Sequence, residues 1–133
     1  MHVLLTRPLE DSIELIKRFK DKGFAVSHLP LIKINKLNYP KLNCSEYKII
    51  VFTSSNAIRN LNTKDFDKNI LCFCVGDATE KTAKQKGFHN TFSAGGNVRN
   101  LRELILQNLE KKTERILYIS GELVSCDLDK ELI

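Results

Sequence analysis

Three short, almost uninterrupted apolar runs limit what this chain can fold into: YKIIVF at 47–52, ILCFCV at 70–75 and RILYIS at 115–120. Runs of this length with β-branched and aromatic residues read as strands, and a strand without polar alternation has to be covered on both faces, as inside a parallel sheet. Each run stops at small polar residues before a stretch of helical character. Strand, polar turn and amphipathic helix in succession imply right-handed crossovers, which lay helices on both sides of the sheet. The expected class is α/β, a parallel sheet with helices on both faces.

The same grammar reads along the rest of the chain. HVLLT at 2–6 predicts a strand, and Pro8 suits the opening of a helix in which Leu9, Ile13, Ile16 and Phe19 or Lys20 form the stripe and Gly23 the left-handed stop. A second strand is expected in FAVSHLPLIKI, where Pro30 marks an edge or a crossing between layers. Residues 35–47 read as a linker. After YKIIVF, Thr53-Ser54-Ser55-Asn56 cap a helix that carries Ala57, Ile58 and Leu61 on one face. After ILCFCV, Asp77 and Glu80 have capping-box spacing and Gly87 ends the helix. Asn97 then caps a helix with the stripe Leu101, Leu104, Ile105 and Leu109, and SCDLDKELI opens a further one.

Composition narrows the function classes. With 42% hydrophobic residues the chain can bury a core, so disorder and collagen-like structure are excluded. A net charge of +5 favours an anionic partner without naming one, yet the lysines are scattered, and a solvated face is the better account of them. The three tyrosines and seven phenylalanines lie mostly inside apolar runs and not along a basic stripe, which argues against nucleic acid. No window reaches the roughly 20 apolar residues of a membrane span, and MHVLLTRPLED lacks a signal peptide's apolar core, so a cytoplasmic location is expected. Cys44, Cys72, Cys74 and Cys126 read as small buried hydrophobes, because His2, His28 and His89 complete no metal site at ligand spacing. There is no G-x-G-x-x-G, P-loop or G-x-S-x-G, and strand ends at Thr6 and Thr53 lack the acidic residues of a phospho-receiver. Gly95-Gly96 before a helix has room for a phosphate, but an isolated Gly-Gly is more often only a turn.

Ligands of open α/β sheets sit beyond the carboxyl ends of the strands. Those ends read Thr6-Arg7, Thr53-Ser54-Ser55-Asn56, Gly76-Asp77-Ala78-Thr79 and Ser120-Gly121-Glu122. A rim of hydroxyl and glycine residues donates hydrogen bonds to an anion, although the same residue types also cap helices where no ligand binds.

The strand ends carry a resemblance. VLLTRP, VFTSSNA, VGDAT with its helix ending in KGF, GGNVRNLRELI and ILYISGE are similar, in order and spacing over nearly the whole chain, to uroporphyrinogen-III synthases. The resemblance implies two flavodoxin-like domains joined by a two-stranded ladder, the first built from both chain ends and the second inserted between them. On that plan residues 1–34 are the opening strand-helix-strand of an incomplete first domain and 35–133 most of the second, a truncated version of the two-domain architecture. The family's tyrosine implicated in leaving-group departure falls outside this length, so no catalytic residue is assigned. Ser120 departs from the arginine that many relatives have before the glycine.

The implied substrate is hydroxymethylbilane, a linear tetrapyrrole rich in carboxylates. Loss of water gives an azafulvene, whose attack on the terminal ring forms a spiro intermediate that reopens and closes with that ring inverted. No cofactor or metal is expected. The implied substrate-binding residues are Thr53, Ser54, Ser55, Gly76, Asp77, Ala78, Thr79, Ser120 and Gly121, with donors at Ser54, Ser55, Ala78 and Thr79 holding carboxylates and Thr79 holding a water or proton donor. The alternative is a degenerate α/β module that binds anions without turnover. Self-association through residues 1–34 is expected, because the apolar face of Leu4, Leu5, Ile13, Ile16 and Phe19 needs a cover.

Overall fold

The computed structural model describes residues 1–110, 114–122 and 128–131. The chain divides into two compact units, Met1–Leu37 and Asn38–Ile133.

In the first unit, strand β1 (His2–Leu5) pairs in parallel with β2 (Ala25–His28), and helix α1 (Leu9–Asp21) connects them. Pro8 precedes the first turn as the N-cap residue. Gly23, at φ +80°, closes the helix: its amide donates to the Lys20 carbonyl and that of Phe24 to Phe19, while the Phe19 and Phe24 rings meet edge to face at 5.9 Å. The amides of Leu29 and Leu31 continue the ladder to Leu5 and Thr6, so Pro30, which has no amide proton, falls where the strand faces away from its neighbour. The buried face of α1 differs from the expected stripe. Ser12 is its most buried residue, because its hydroxyl donates to the Arg7 carbonyl and a small side chain lets the helix come close; Ile16 and Phe19 are half-buried beside it. Leu9 and Ile13 are more than half exposed, as is Leu4 on β1.

The second unit is a parallel four-stranded sheet in the order β5-β4-β3-β6: β3 (Ile49–Phe52), β4 (Leu71–Cys74), β5 (Thr91–Ser93) and β6 (Ile116–Ile119). Every residue of β3 is buried. Helices α2 (Ser55–Asn60) and α3 (Asp77–Gln85) follow β3 and β4, α4 (Val98–Asn108) follows β5, and α5 (Leu128–Glu131) follows β6. The chain steps outward from β3 to β4 to β5, then crosses to the far side of β3 to form β6. With right-handed crossovers that reversal moves the helices to the opposite face. Accordingly Ile50, Phe52, Cys72 and Cys74 share one core with Ile58 of α2 and Ala83 of α3, while Ile49, Val51 and Phe73 share the other with Leu101 and Ile105 of α4 and Leu128 of α5. The result is a three-layer, flavodoxin-like α/β unit.

Local expectations hold at most helix ends. Ser54 caps α2, its hydroxyl accepting from the Asn56 amide at 3.2 Å, and Asn97 caps α4, accepting from Arg99 at 2.8 Å. Gly87, at φ +92°, ends α3, and Phe88 then turns into the core against Phe52. Two elements were not anticipated. A 3₁₀ turn at Cys44–Glu46 interrupts the linker, and β5 forms an edge strand whose three residues are too few to show a pattern. At the entry to the sheet, the Lys48 amide donates to the Arg115 carbonyl at 3.1 Å and the Arg115 guanidinium pairs with Glu46, tying the starts of β3 and β6 together. Residues 125–127 and 132–133 of the helix expected at SCDLDKELI lie outside the described residues, as does Cys126. Among the described residues no helix is long and apolar enough to cross a membrane.

Cys72 and Cys74 are fully buried on one face of β4, as expected of small hydrophobes. Burial, reinforced by the neighbouring Cys74 in the case of Cys72 and by the Glu80 carboxylate in the case of Cys74, pushes both thiols from 9.0 up to about 12. A raised thiol pKa favours the folded state while the thiol is neutral in both states; as pH climbs above 9.0, the unfolded chain releases protons that the native chain keeps until about 12. Urea titrations at about pH 8 and about pH 10.5 should show stability falling between them, and falling less in a Cys72→Ala/Cys74→Ala variant. Equal falls in the two proteins would show that the buried thiols do not govern the alkaline limit.

Candidate functional site

The reversal of direction lies between β3 and β6, and at such a switch point the flanking loops diverge, leaving a crevice beyond the carboxyl ends of the strands. Register sets the level of each residue there. Phe52 pairs with Cys74 on one side and Ile119 on the other, so the next residues, Thr53, Val75 and Ser120, begin the rim together. The structure thus brings Thr53, Ser54 and Ser55 alongside Ser120 and Gly121 at the switch point, and sets Gly76, Asp77, Ala78 and Thr79 one strand away at the end of β4.

The two halves of this rim differ in chemistry. On the β3–β6 side, Thr53 Oγ1 lies 3.4 Å from the hydroxyl of Tyr118, and the Ser120 hydroxyl donates to the Gly121 carbonyl at 3.0 Å. In capping α2, the Ser54 hydroxyl uses its oxygen as an acceptor and not its proton. On the β4 side, Gly76 is the N-cap residue of α3, Asp77 and Ala78 are exposed, and Thr79 is only 6% exposed on the inner side of the first turn.

The capping box expected of Asp77 and Glu80 does not form. Gly76 occupies the cap, so Asp77 falls inside the first turn, and both carboxylates turn to the unanticipated β5 instead. Asp77 Oδ1 accepts from the Ser93 hydroxyl at 2.6 Å; Glu80 Oε1 accepts from Thr91 at 3.1 Å and pairs with Lys84 at 2.9 Å. Carboxylates in the first turn of α3 already complement the helix dipole at the end of β4.

Gly95-Gly96 is a turn and not a phosphate cradle. Both residues have positive φ, +70° and +86°, and both amides are used internally: Gly95 donates to Ser93 Oγ at 3.1 Å and Gly96 to the Val75 carbonyl at 2.6 Å. The turn lies so close to β4 that a Cβ on Gly76 would stand 3.4 Å from the Gly96 Cα. Among the described residues no group of three or more His, Cys, Asp and Glu is placed to hold a metal ion.

Tyr118 was missed because it reads as one more member of the RILYIS run. Its signal was available: it is the one residue of ILYI with a polar tip, and it stands one residue before the strand end.

The second unit is thus a three-layer α/β unit with a rim of hydroxyl and glycine residues at its switch point, the place where proteins of this class take their ligands. The comparisons with known proteins give that class a family. A family model described as uroporphyrinogen-III synthase HemD matches residues 13–133, and the chain belongs to this family. It is also similar to the porphyrin biosynthesis protein HemD of Ruminiclostridium josui, 28% identical over 142 residues that take in 95% of this chain and 28% of the relative. The chain therefore spans less than a third of that relative's length.

The two glycines that meet across the β4 rim should differ in their tolerance of a side chain. Gly96→Ala forces a Cβ onto a left-handed residue and should cost about 1–2 kcal/mol. Gly76, at φ −152°, is in extended backbone open to any residue and meets only ordinary contact distances, so Gly76→Ala should cost less. Urea midpoints of the two variants check this; an equal or reversed order would mean that the tight approach, and not the backbone angle, sets the requirement for glycine.

Proposed function

We propose that this chain supplies one wall of the cleft in which a uroporphyrinogen-III synthase cyclises hydroxymethylbilane, with residues 1–34 opening the first domain and 35–133 forming most of the second. The observation that carries this reading is the hydroxyl-lined rim at the β3–β6 switch point, in a chain of this family. The division of the chain after Leu37 supports the two-domain plan.

In this reading the work of the protein is orientation. A pyrrole nitrogen expels the hydroxyl of hydroxymethylbilane with little help, and the azafulvene closes either directly to the type I isomer or through the spiro intermediate to type III. Every tenfold preference between the two closures needs about 1.4 kcal/mol. A hydrogen bond made better in one folded geometry than in the other contributes about 1 kcal/mol, so a few well-placed donors suffice for strong discrimination. Thr53, Ser54, Ser55, Ser120 and Gly121 hold carboxylates of the substrate's periphery. Gly76, Asp77, Ala78 and Thr79 form the adjoining wall, where the Ala78 and Thr79 amides are the donors and Asp77 orders the turn through Ser93.

Uroporphyrin III, the aromatic form of the product, provides a stable probe for this reading. Added to the isotopically labelled chain, it should shift the amide resonances of residues 53–55 and 120–121 most and those of 76–79 less. Shifts elsewhere, or no binding, would remove the reading. Incubated with hydroxymethylbilane, the 133-residue chain should release only the spontaneous type I isomer, because one wall does not enforce inversion; type III well above background would show that this wall is sufficient.

Residues 1–34 also associate with a second copy in this proposal. Leu4, Leu9 and Ile13 lie more than half exposed on a unit whose two strands pair only with each other among the described residues. Light scattering across a concentration series should show mass rising with concentration, and Ile13→Lys should abolish the rise. A constant monomer mass would exclude this contact.

A further inference from the structure

Parallel register sets Tyr118 level with Val51, two residues before the level of Thr53. Two residues of strand rise about 6.6 Å, which a phenol laid along the strand spans. The contact between Tyr118 Oη and Thr53 Oγ1 shows the ring extended in this way, toward the carboxyl edge. Its apolar part packs with the core on the α4 side, yet the residue is only half-buried, as for an aromatic anchored by its body with its polar tip at a wet edge.

The separation of the two oxygens is informative. At 3.4 Å they stand about half an ångström beyond the usual distance for a hydroxyl-to-hydroxyl bond. The bond between them is therefore weak, and both O–H groups are available to a better acceptor. One oxygen placed about 2.8 Å from each would accept from both, and a carboxylate oxygen has the lone pairs and the charge to do so.

Resting on the tetrapyrrole reading above, we propose that Tyr118 is a further substrate-contacting residue: its phenolic hydroxyl and the Thr53 hydroxyl converge on a single carboxylate oxygen of the ligand. The Tyr118 hydroxyl donates one hydrogen bond and Thr53 the other. No formal positive charge is involved, so the pair selects an acceptor by geometry.

Fluorescence titration of the 133-residue chain with uroporphyrin III tests the pair. Tyr118→Phe keeps the ring and removes the hydroxyl, and it should raise the dissociation constant about tenfold. Thr53→Val should do the same. The double variant should lose more than either single one, because each hydroxyl donates its own hydrogen bond to the shared oxygen, and any departure from the product of the two single effects measures their coupling. In the wild-type chain the ¹³Cζ resonance of Tyr118 should move on addition of the probe, a change that a purely structural ring would not show. Should Tyr118→Phe fail to fold, that resonance decides alone, and a stationary signal overturns the proposal. Wild-type affinity in Tyr118→Phe overturns the assignment of Tyr118 and leaves the tetrapyrrole reading standing. Failure of the wild-type chain to bind uroporphyrin III removes both.

Discussion

Strand β3 is the constraint on which the larger unit depends. It is hydrogen-bonded on both edges, to β4 and β6, and covered on both faces, so Ile49, Ile50, Val51 and Phe52 are 0–2% exposed. Four residues thereby contribute to both cores at once, alternating between the α2–α3 side and the α4–α5 side. Removing an ethyl or phenyl group here would cost a few kcal/mol on its own side and also loosen the ladder that aligns the other. Thr53, the first rim residue, is the immediate continuation of this strand, so the most tightly held segment of the unit ends at the candidate site.

The path of the chain accounts for the position of that site. Right-handed crossovers are available in either direction from β3, and the chain uses one direction for β4 and β5 and the other for β6. Helices therefore leave the central strands on opposite faces, and the gap they leave falls beyond Thr53 and Ser120. Hydroxyl residues at that gap serve two physical needs: Ser54 satisfies a half-buried first-turn helix amide, while Thr53 and Tyr118 direct polar groups at the edge of an apolar core. A caps-only account covers Ser54 but gives no reason for a phenol to run along the strand toward Thr53.

Much of this was legible in the sequence because it depends on local physics. Unbroken apolar runs located β3, β4 and β6; Ser54, Asn97, Gly23 and Gly87 located helix ends, since caps and left-handed stops depend on residues a few positions apart. What was not legible depends on tertiary neighbours. The Asp77–Glu80 spacing suggested a cap, but a hydroxyl strand sixteen residues from Asp77 took its carboxylate. The stripe on α1 suggested Leu9 and Ile13 as core, whereas the fit of the helix against Arg7 selected Ser12. Tyr118 was counted as core because its run is apolar, and its contact with Thr53, sixty-five residues away, exists only once β6 crosses to the far side of β3.

The ends of the β3–β6 pair are held unequally. At the entry end a backbone bond from Lys48 to Arg115 is backed by the ion pair of Arg115 with Glu46, and the ladder follows without interruption. At the exit end, the direct side-chain bond is the long contact of Thr53 with Tyr118. Such a pair of strands behaves like a clothes-peg: its spring is at the base, and among the described residues the side-chain contact that its jaws must break to part is a weak bond between hydroxyls. The exit end of the pair can therefore widen while the core beneath it keeps its packing.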